Sequence, residues 1–291
     1  MRRLAVVVSG TSRIRPNQIR AVLAHASGRD LEYQVQVANS SPEATMAAYR
    51  AAELADVVVA VGGDGTVADV ATGIFGSGAA LAIVPAGSTN ITARSLGIPA
   101  DPTSALALTC DSYRIRSIDV GRSEDRTFVH IAGAGIDAAL FHATSPVLKR
   151  RIGWFAYLPA AVSALRLPPS DVRITADGAV VEAHSSLVLI ANGGSAIAPE
   201  YRIYPGITVD DGWLDIVVFT ASTPAEIAAT LRYAGVQQLD RSPYVTHTRA
   251  QTVKVDAEPP LPVELDGDPR GTTPRQFDII PSGLQVVTPL R

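Results

Sequence analysis

The chain has 291 residues, of which 47% are hydrophobic and 18% are charged, and its formal net charge is −3. This composition is typical of a folded globular protein and excludes a disordered one, and the weakly acidic balance gives no indication of nucleic-acid binding. The single cysteine, Cys110, excludes a disulfide framework and fits a reducing cytoplasm.

No stretch of the sequence is predicted to cross a membrane. The longest stretch without charge, residues 70–93, is interrupted by four glycines and Pro85, whereas a spanning helix needs about 20 predominantly apolar residues. The early apolar run "LAVVV" is shorter than the roughly 7–15 apolar residues of a signal peptide, so it is predicted to be a strand. We expect a protein that is soluble or at most peripheral to a membrane.

The first 120 residues alternate between strand-like and helix-like segments. Predicted strands cover residues 2–8, 31–38, 55–61 and 80–85. The last two are almost wholly apolar, as in central parallel strands that are covered on both faces. Ser41 with Pro42 predicts one helix start, and Thr66 with Asp69 predicts a capping box at another. This alternation favours a Rossmann-like parallel sheet.

After about residue 119 the pattern favours antiparallel strands. A hairpin is predicted over 171–192 around Asp177-Gly178, and one helix over 223–239. Further strands are predicted at 214–220, 251–257, 261–265, 277–281 and 284–288. We therefore expect an α/β nucleotide-binding domain over 1–120 and a mostly antiparallel β-sandwich domain over 121–291. The last strand is a candidate to return to the first domain.

The stretch "GGDGT" at residues 62–66 follows a predicted buried strand. Taken alone, it is equally compatible with a structural turn. Its place at the carboxyl edge of a parallel sheet, before a helix start, favours an anion-binding loop. Because Asp64 would repel a bare phosphate, the pattern points to a nucleotide bridged by a divalent cation.

A second glycine-containing loop, "VPAGSTNITAR" at residues 84–94, follows the next predicted strand. Ser88, Thr89 and Asn90 offer hydrogen bonds there, although Asn90 could be an ordinary helix cap. Neither loop matches GxxxxGK[ST], so a P-loop enzyme is not indicated.

Several later stretches have two interpretations each. "ELDGD" (264–268) and "TVDDGWLD" (208–215) are both compatible with plain hairpin turns. "GAGIDAA" (133–139) imitates a dinucleotide-binding fingerprint only weakly, because no acid-terminated strand follows at the right distance. A last group combines basic and aromatic residues that fit an anionic membrane surface or a solvated helix end: Lys149, Arg150, Arg151, Trp154, Phe155 and Tyr157.

Together these stretches resemble the diacylglycerol kinase catalytic-domain family, which includes bacterial lipid kinases and the sphingosine and ceramide kinases. "GGDGT" is complete, and "GSTNITAR" (87–94) resembles the family's G-T-x-N-D-F-A-R. The similarity continues in order through "SIDVG" (117–121), "GAGIDA" (133–138), "RRIGWFAYL" (150–158), "VDDGWLDIVVF" (209–219) and "ELDGD" (264–268).

The resemblance implies roles for particular residues. Asp266 would be the general base, Asp268 and Asp64 would act with the catalytic magnesium, and Asp119 matches an acid at the domain junction. A structural magnesium would be held by Asp211 and by carbonyls near Thr208 and Trp213. The implied nucleotide-binding residues are Ser9, Gly62, Gly63, Asp64, Gly65, Thr66, Gly87, Ser88, Thr89 and Asn90.

This sequence departs from the family pattern at a few positions. Ile91 and Thr92 replace the family's Asp and Phe, Ser88 replaces Thr, and Asp268 replaces the Glu of D-G-E. The Asn-Pro of the family's first loop is also absent, and Ser9 and Gly10 occupy that region. These changes bear on the level of activity more than on family membership.

The resemblance implies an ATP- and Mg²⁺-dependent lipid kinase that phosphorylates a lipid hydroxyl at a membrane surface, with diacylglycerol as the first candidate. Such an enzyme would be cytoplasmic or peripheral on the inner membrane face, and a homodimer is compatible with it. The alternatives are a sphingoid, ceramide or other lipid kinase, an NAD kinase, and a catalytically weak homologue that binds nucleotide or lipid.

Overall fold

The computed structural model describes residues 2–26, 31–110, 113–135, 168–195 and 202–290. The chain divides into two compact units: unit 1 comprises residues 1–120 and 281–291, and unit 2 comprises residues 121–280. The described strands are β1 Arg2–Ser9, β2 Leu31–Ala38, β3 Val57–Gly62, β4 Ala80–Pro85, β5 Tyr113–Ser123, β6 Arg126–Phe128, β7 Ile131–Ala134, β8 Ser170–Ala176, β9 Ala179–Ser185, β10 Leu187–Ala191, β11 Leu214–Phe219, β12 Val245–Ala250, β13 Thr252–Glu258, β14 Pro262–Leu265, β15 Asp268–Thr272 and β16 Arg275–Pro289.

The described helices follow the same order along the chain. They are α1 Pro16–Ala26, α2 Ser41–Ala52, α3 Asp64–Ile74, α4 Ile91–Ser95, α5 Pro102–Leu108 and α6 Pro224–Gly235, with a short 3-10 helix at Leu239–Arg241.

Unit 1 is built on a parallel sheet in the order β2-β1-β3-β4. The last part of β16 adds to it in parallel, with Val286 opposite Leu81. Every residue of β3 and β4 is buried, as expected for short apolar strands at the centre of a parallel sheet. The predicted α/β fold of this part of the chain is therefore confirmed.

The helix starts in unit 1 differ in detail from the predictions. Helix α2 is capped by Ser40, one residue before the predicted start, and the Ser40 hydroxyl accepts a hydrogen bond from the Glu43 N–H. The capping box predicted at Thr66 and Asp69 is wrong, because α3 already begins at Asp64. Asp69 instead accepts a hydrogen bond from the Ser41 hydroxyl at 2.6 Å.

Unit 2 contains an antiparallel six-stranded sheet in the order β12-β11-β10-β7-β14-β15. A second antiparallel group comprises β9, β8, β13 and the first part of β16. Apolar side chains from both groups form one core, with Ile190 and Ile216 on one side and Ile174 and Val255 on the other. This arrangement confirms the predicted β-sandwich.

The other face of the six-stranded sheet is also buried. A separate apolar cluster there joins Val217 and Phe219 of β11 to Ile227 of α6. Helix α6 begins with the predicted capping box of Thr223 and Glu226, and it ends at Gly235, four residues before the predicted end.

Two strand predictions in unit 2 need correction. The predicted hairpin over 171–192 forms around Asp177-Gly178, but its second strand ends at Ser185, and β10 belongs to the other sheet. The strands predicted at 277–281 and 284–288 are one continuous 15-residue strand, β16. The break was predicted from three turn-forming residues, Pro281, Ser282 and Gly283. Their composition does not reveal that the strand forms pairs both before and after them.

Candidate functional site

Two glycine-containing loops meet at the carboxyl edge of the sheet in unit 1. Strands β3 and β4 run parallel with Gly62 opposite Pro85, and the Ala86 N–H donates to the Gly62 carbonyl at 2.8 Å. The loops touch at two glycines, since a Cβ placed on Gly87 would lie 2.4 Å from the Cα of Gly63. No side chain fits at Gly87 without moving the neighbouring backbone.

Asn90 clamps the second loop. Its Oδ1 accepts a hydrogen bond from the Gly87 N–H at 2.9 Å, and its Nδ2 donates to the Gly87 carbonyl at 3.0 Å. The residue has a φ of 50°, and its side chain makes no capping hydrogen bond to α4. The alternative of an ordinary helix cap is therefore wrong. Beside this clamp, Ser88 is exposed and Thr89 is partly exposed.

Asp64 is the first residue of α3 and is partly exposed. Its Oδ1 accepts a hydrogen bond from the Thr92 N–H at 3.0 Å, which ties the first loop to the second. Among the described residues no partner is found for Oδ2, so that oxygen is available to a ligand. Hard cations such as Mg²⁺ prefer oxygen ligands of this kind.

The start of α3 is suited to an anion. Its N-cap is Gly63, and no side chain caps its first backbone N–H groups. Such groups, together with the helix dipole, attract phosphate. Gly65 and Thr66 lie in this first turn, and Thr66 packs against Gly62 so closely that a Cβ on Gly62 would lie 2.3 Å from Thr66 Oγ1.

Ser9 lies at the end of β1 in the same unit. Its hydroxyl is 2.9 Å from the Thr11 hydroxyl, within hydrogen-bond distance. A cavity of about 610 Å³ opens here, and its lining includes Ser9, Arg15 and Arg20. The two guanidinium groups favour an anionic occupant.

Asp119 is buried, and its Oδ1 accepts a hydrogen bond from the Ser282 N–H at 2.7 Å. This bond joins the end of the first chain segment of unit 1 to the segment that returns after unit 2. The contact identifies Asp119 as a residue that holds the main chain in position, and a direct role in chemistry stays a prediction.

In unit 2, Asp266 forms the turn between β14 and β15 together with Gly267. Both residues have positive φ values, 48° and 90°, as a type I′ hairpin turn requires. The Asp266 carboxylate accepts three backbone N–H groups: Oδ2 from Val129 at 2.7 Å, and Oδ1 from His130 at 2.9 Å and Ile131 at 3.0 Å. The same carboxylate therefore shapes the segment between β6 and β7.

Burial raises the pKa of Asp266 above its ordinary value, and the three N–H donors oppose this effect without cancelling it. A carboxylate with a raised pKa holds a proton more strongly, which suits it to accept one.

Glu264 is a member of this acidic group that the sequence did not single out. It is only 5% exposed, and its Oε2 accepts the Gly267 N–H at 2.5 Å. Burial, together with the nearby charges of Asp266 and Asp268, raises its pKa to about 8. A glutamate in "LPVEL" resembles an ordinary outward-facing strand position, so no signal in the sequence identified it.

Asp268 is flanked by two arginines. Its Oδ2 lies 3.4 Å from Arg126 Nη2 and 3.4 Å from Arg270 Nη2. Arg126 is almost fully buried, and no pattern in the sequence identifies it as a site residue. These guanidinium groups offset part of the negative charge that Glu264, Asp266 and Asp268 concentrate in this turn.

The segment predicted to hold a structural magnesium places Asp211 beside an arginine. Asp211 Oδ2 accepts a hydrogen bond from Arg249 Nη2 at 3.0 Å, and Asp211 Oδ1 accepts the Trp213 N–H at 3.2 Å. Thr208 and Trp213 are exposed, and no described contact involves their carbonyl groups.

Three features concern the described part of the chain as a whole. Within it, no group of three or more His, Cys, Asp or Glu side chains is arranged to hold a metal ion. No described helix is long and apolar enough to span a membrane. The basic and aromatic group of residues 149–157 lies outside the described residues, as does the end of "GAGIDA".

Comparison with known proteins covers almost the whole chain. The family model described as the diacylglycerol kinase catalytic domain matches residues 4–123, and the YegS C-terminal NAD kinase beta sandwich-like domain matches residues 130–288. The diacylglycerol kinase of Bacillus subtilis (strain 168) is 29% identical over 297 residues, covering 99% of this chain and 97% of the relative. A diacylglycerol kinase of Staphylococcus aureus (strain JH9) is 28% identical over 251 residues, covering 85% and 79%.

A solved structure supports the fold. The crystal structure of a candidate diacylglycerol kinase from Bacillus anthracis str. Sterne aligns with a TM-score of 0.80 at 24% identity, covering 99% of this chain and 95% of the other. Together with the family models, it confirms an α/β first domain and a β-sandwich-like second domain. The chain belongs to the diacylglycerol kinase catalytic-domain family, with a YegS-like C-terminal domain, and is a kinase of that family.

Proposed function

We propose that this lipid kinase transfers the γ-phosphoryl group of ATP to the hydroxyl group of diacylglycerol, giving phosphatidate. The single observation that best supports the proposal is the contact of the loops at Gly63 and Gly87, which brings the second loop against the phosphate-compatible start of α3, where Asp64 lies. Kinase membership implies ATP as the donor, and relatives named diacylglycerol kinase favour diacylglycerol as the acceptor.

The residues of unit 1 bind and orient the nucleotide in this proposal. The backbone N–H groups at the start of α3 bind phosphate oxygens, and the glycines at 62, 63, 65 and 87 allow close approach. Hydroxyl groups of Ser9, Thr66, Ser88 and Thr89 add hydrogen bonds. Asn90 keeps the second loop closed through its two bonds to Gly87.

Asp64 is the carboxylate of unit 1 that is proposed to hold Mg²⁺, and its free Oδ2 fits this purpose. The ion, when bound, would supply charge neutralisation for the phosphate groups. At Asp268, Arg126 and Arg270 fix the carboxylate, which is one methylene shorter than the family's glutamate.

Asp266 is proposed to accept the proton of the lipid hydroxyl. Its Oδ2 accepts one N–H group only, from Val129, and a carboxylate oxygen can accept two hydrogen bonds. One lone pair of Oδ2 is thus left for the substrate. The raised pKa of Asp266 suits a general base. Asp119 would contribute indirectly, because its carboxylate holds the main chain in place at Ser282.

The proposed lipid acceptor also indicates where in the cell the protein acts. Because diacylglycerol resides in membranes, we propose that the protein acts as a cytoplasmic enzyme at the inner membrane surface. Cosedimentation with vesicles that contain diacylglycerol and anionic phospholipid tests this part, and absence of binding to such vesicles would contradict it.

The reaction is tested with ATP labelled at the γ-phosphate and a panel of acceptors. Diacylglycerol in mixed micelles should give labelled phosphatidate at a rate at least tenfold above that of ceramide, sphingosine or NAD. Faster labelling of a sphingoid acceptor or of NAD would show that this acceptor, and not diacylglycerol, is the substrate. Labelling of none of them would support a homologue that binds nucleotide or lipid without turnover.

A further inference from the structure

A network of charged side chains joins the turn before β11 to strands β11 and β12 in unit 2. Asp215 of β11 is directly opposite Arg249 of β12. Arg249 Nε donates to Asp215 Oδ1 at 2.8 Å, and Arg249 Nη2 donates both to Asp211 Oδ2 and to the Gly206 carbonyl, at 3.0 Å each. One guanidinium group therefore binds oxygens from three residues, two in the 206–213 segment and one in β11.

These acceptors are of the type that a magnesium ion would use. Asp211 is the carboxylate that the family resemblance implies for a structural magnesium, and backbone carbonyls would complete such a site. Arg249 already binds that carboxylate, together with a carbonyl of the same loop. A divalent cation at Asp211 would lie within a few ångströms of a positive guanidinium, which is unfavourable in a partly buried setting.

The oxygen atoms of Asp215 do not form a magnesium site by themselves. His247 Nε2 also contacts Asp215 Oδ1, at 2.6 Å, and the His247 ring stacks on Tyr204. Asp215 is fully buried, and its Oδ2 is the one carboxylate oxygen of this network that finds no partner among the described residues. Magnesium is usually held by one or two carboxylates, and waters complete its octahedral coordination. Asp211, the carboxylate implied for it, already accepts hydrogen bonds on both oxygens, from Arg249 and from the Trp213 N–H.

We propose that the guanidinium of Arg249 takes the place of the structural magnesium ion in this chain. It fixes the 206–213 segment to β11 and β12 by charge-assisted hydrogen bonds, which arginine can form in several directions at once. Unit 2 then needs no divalent cation to fold, and any requirement for Mg²⁺ in this protein arises from catalysis alone.

Thermal unfolding of the full chain without nucleotide tests the proposal. The protein is freed of metal with EDTA and then melted with and without 10 mM MgCl₂, as the wild type and as Asp211→Asn. The expected result is the same Mg²⁺-induced change in Tm in both proteins, within about 1 °C. A Mg²⁺-dependent rise in the wild type that Asp211→Asn abolishes would overturn the proposal.

The role of Arg249 itself is tested in EDTA. Arg249→Met leaves Asp211 without its cation and weakens the pairing of buried Asp215, so its Tm should fall by roughly 5 °C or more. The matched control is Arg173→Met, which breaks an exposed cross-strand pair with Glu182 and should shift Tm by about 1 °C or less. Equal Tm values for Arg249→Met and the wild type would overturn the proposal.

If Asp211→Asn does not fold, Tb³⁺ luminescence tests the proposal instead. Tb³⁺ bound in the 206–213 segment would be excited by the adjacent Trp213, so the wild type is compared with Trp213→Phe. The proposal expects equal Tb³⁺ emission from both proteins. Emission that disappears in Trp213→Phe would locate a cation at Asp211 and contradict it. None of these measurements depends on kinase activity.

Discussion

Asp266 and Asp177 occupy the same conformational position in two different hairpins of unit 2. Each is the first central residue of an Asp-Gly turn with positive φ, 48° and 47° respectively. Each carboxylate also accepts backbone N–H groups from a neighbouring segment, Asp266 from residues 129–131 and Asp177 from Gln251 and Thr252. Only Asp266 has acidic neighbours at 264 and 268, and only Asp266 is proposed to act on substrate.

This pair allows the structural and catalytic effects of one substitution to be separated. Asp266→Asn replaces one of two oxygens that accept backbone N–H groups with an amide NH₂ that cannot accept any, and it removes the proposed base. We expect the stability to fall by about 1–3 kcal/mol and kcat to fall at least 100-fold, within the range of general acid–base catalysis. Denaturant unfolding and single-turnover kinetics on the folded fraction measure the two effects.

Asp177→Asn is the matched control for that variant. It should lose less stability, because Asn keeps an oxygen that can accept both the Gln251 and the Thr252 N–H groups at this exposed turn, and it should keep kcat within about threefold of the wild type. In the wild type, kcat should rise with pH through the raised pKa of Asp266, because the base must be deprotonated. A variant Asp266→Asn with unchanged kcat, or a wild type whose kcat falls as pH rises through that range, would contradict the assignment.

The contact between the two glycine loops leads to a second prediction. A Cβ at Gly87 would lie 2.4 Å from the Gly63 Cα, whereas a Cβ at Gly63 would lie at an ordinary 3.4 Å from the Gly87 Cα. Gly87→Ala should therefore destabilise the protein by about 1–3 kcal/mol, as overpacking does. Gly63→Ala should leave the stability within about 1 kcal/mol of the wild type.

Nucleotide binding should respond to both of these variants. Gly63→Ala places a methyl group at the N-cap of α3, where phosphate is proposed to approach the backbone. We expect at least tenfold weaker ATP binding for each, measured by calorimetry with Mg²⁺ present. Undiminished ATP binding by Gly63→Ala would show that phosphate does not approach there.

The fold was predictable from local patterns where strands are short, apolar and flanked by turn residues. Strands β3 and β4 were found within two residues, because six consecutive buried positions leave little ambiguity. The hairpin at Asp177-Gly178 was found because that dipeptide has the φ values a type I′ turn requires. The length of β16 is not predictable from local sequence, because it depends on pairing with two separate strands, β13 for the first part and the distant β4 for the last part.

The candidate site was predictable only in part, for a related reason. The glycine loops and Asp266 have sequence signatures, and the family resemblance supplied their roles. Glu264, Arg126 and Arg249 have none, because each depends on burial or on contacts across strands. The spacing of Thr66 to Asp69 predicts a cap at Thr66, yet the helix begins two residues earlier, where the chain leaves β3 at Gly62.

A third prediction concerns the charge of Asp64. Asp64→Asn keeps an oxygen that accepts the Thr92 N–H, so the fold should be retained. With Mg²⁺ present, kcat should fall at least 100-fold, because a proposed metal ligand is lost. In EDTA, the variant should bind ATP more tightly than the wild type, because the repulsion between Asp64 and phosphate is removed.

The control for Asp64 is Asp101→Asn in the same unit. Asp101 also accepts a backbone N–H, that of Ser104 at 2.8 Å, at the start of helix α5. Its replacement should change neither kcat nor ATP affinity by more than about twofold. If ATP in EDTA bound Asp64→Asn more weakly than the wild type, Asp64 would not face the phosphate groups.

The fourth prediction uses the raised pKa of Glu264, about 8 in the folded protein against an ordinary value of 4.5. Between these values the folded state binds a proton that the unfolded state has lost. The free energy of unfolding therefore falls as pH rises from 4.5 through about 8, and it levels off above that. Gln resembles the protonated glutamate and can still accept the Gly267 N–H, so Glu264→Gln should remove this dependence.

Urea unfolding from pH 5 to pH 9 measures the effect of Glu264→Gln. Near pH 5 the variant and the wild type should be equally stable, because Glu264 is neutral in the folded wild type. At pH 9 the variant should be more stable by roughly 2–4 kcal/mol. The control variant is Glu258→Gln, at an exposed position in the same unit. Its free energy of unfolding should match that of the wild type at every pH. Parallel curves for Glu264→Gln and the wild type would contradict a raised pKa of Glu264 in the folded protein.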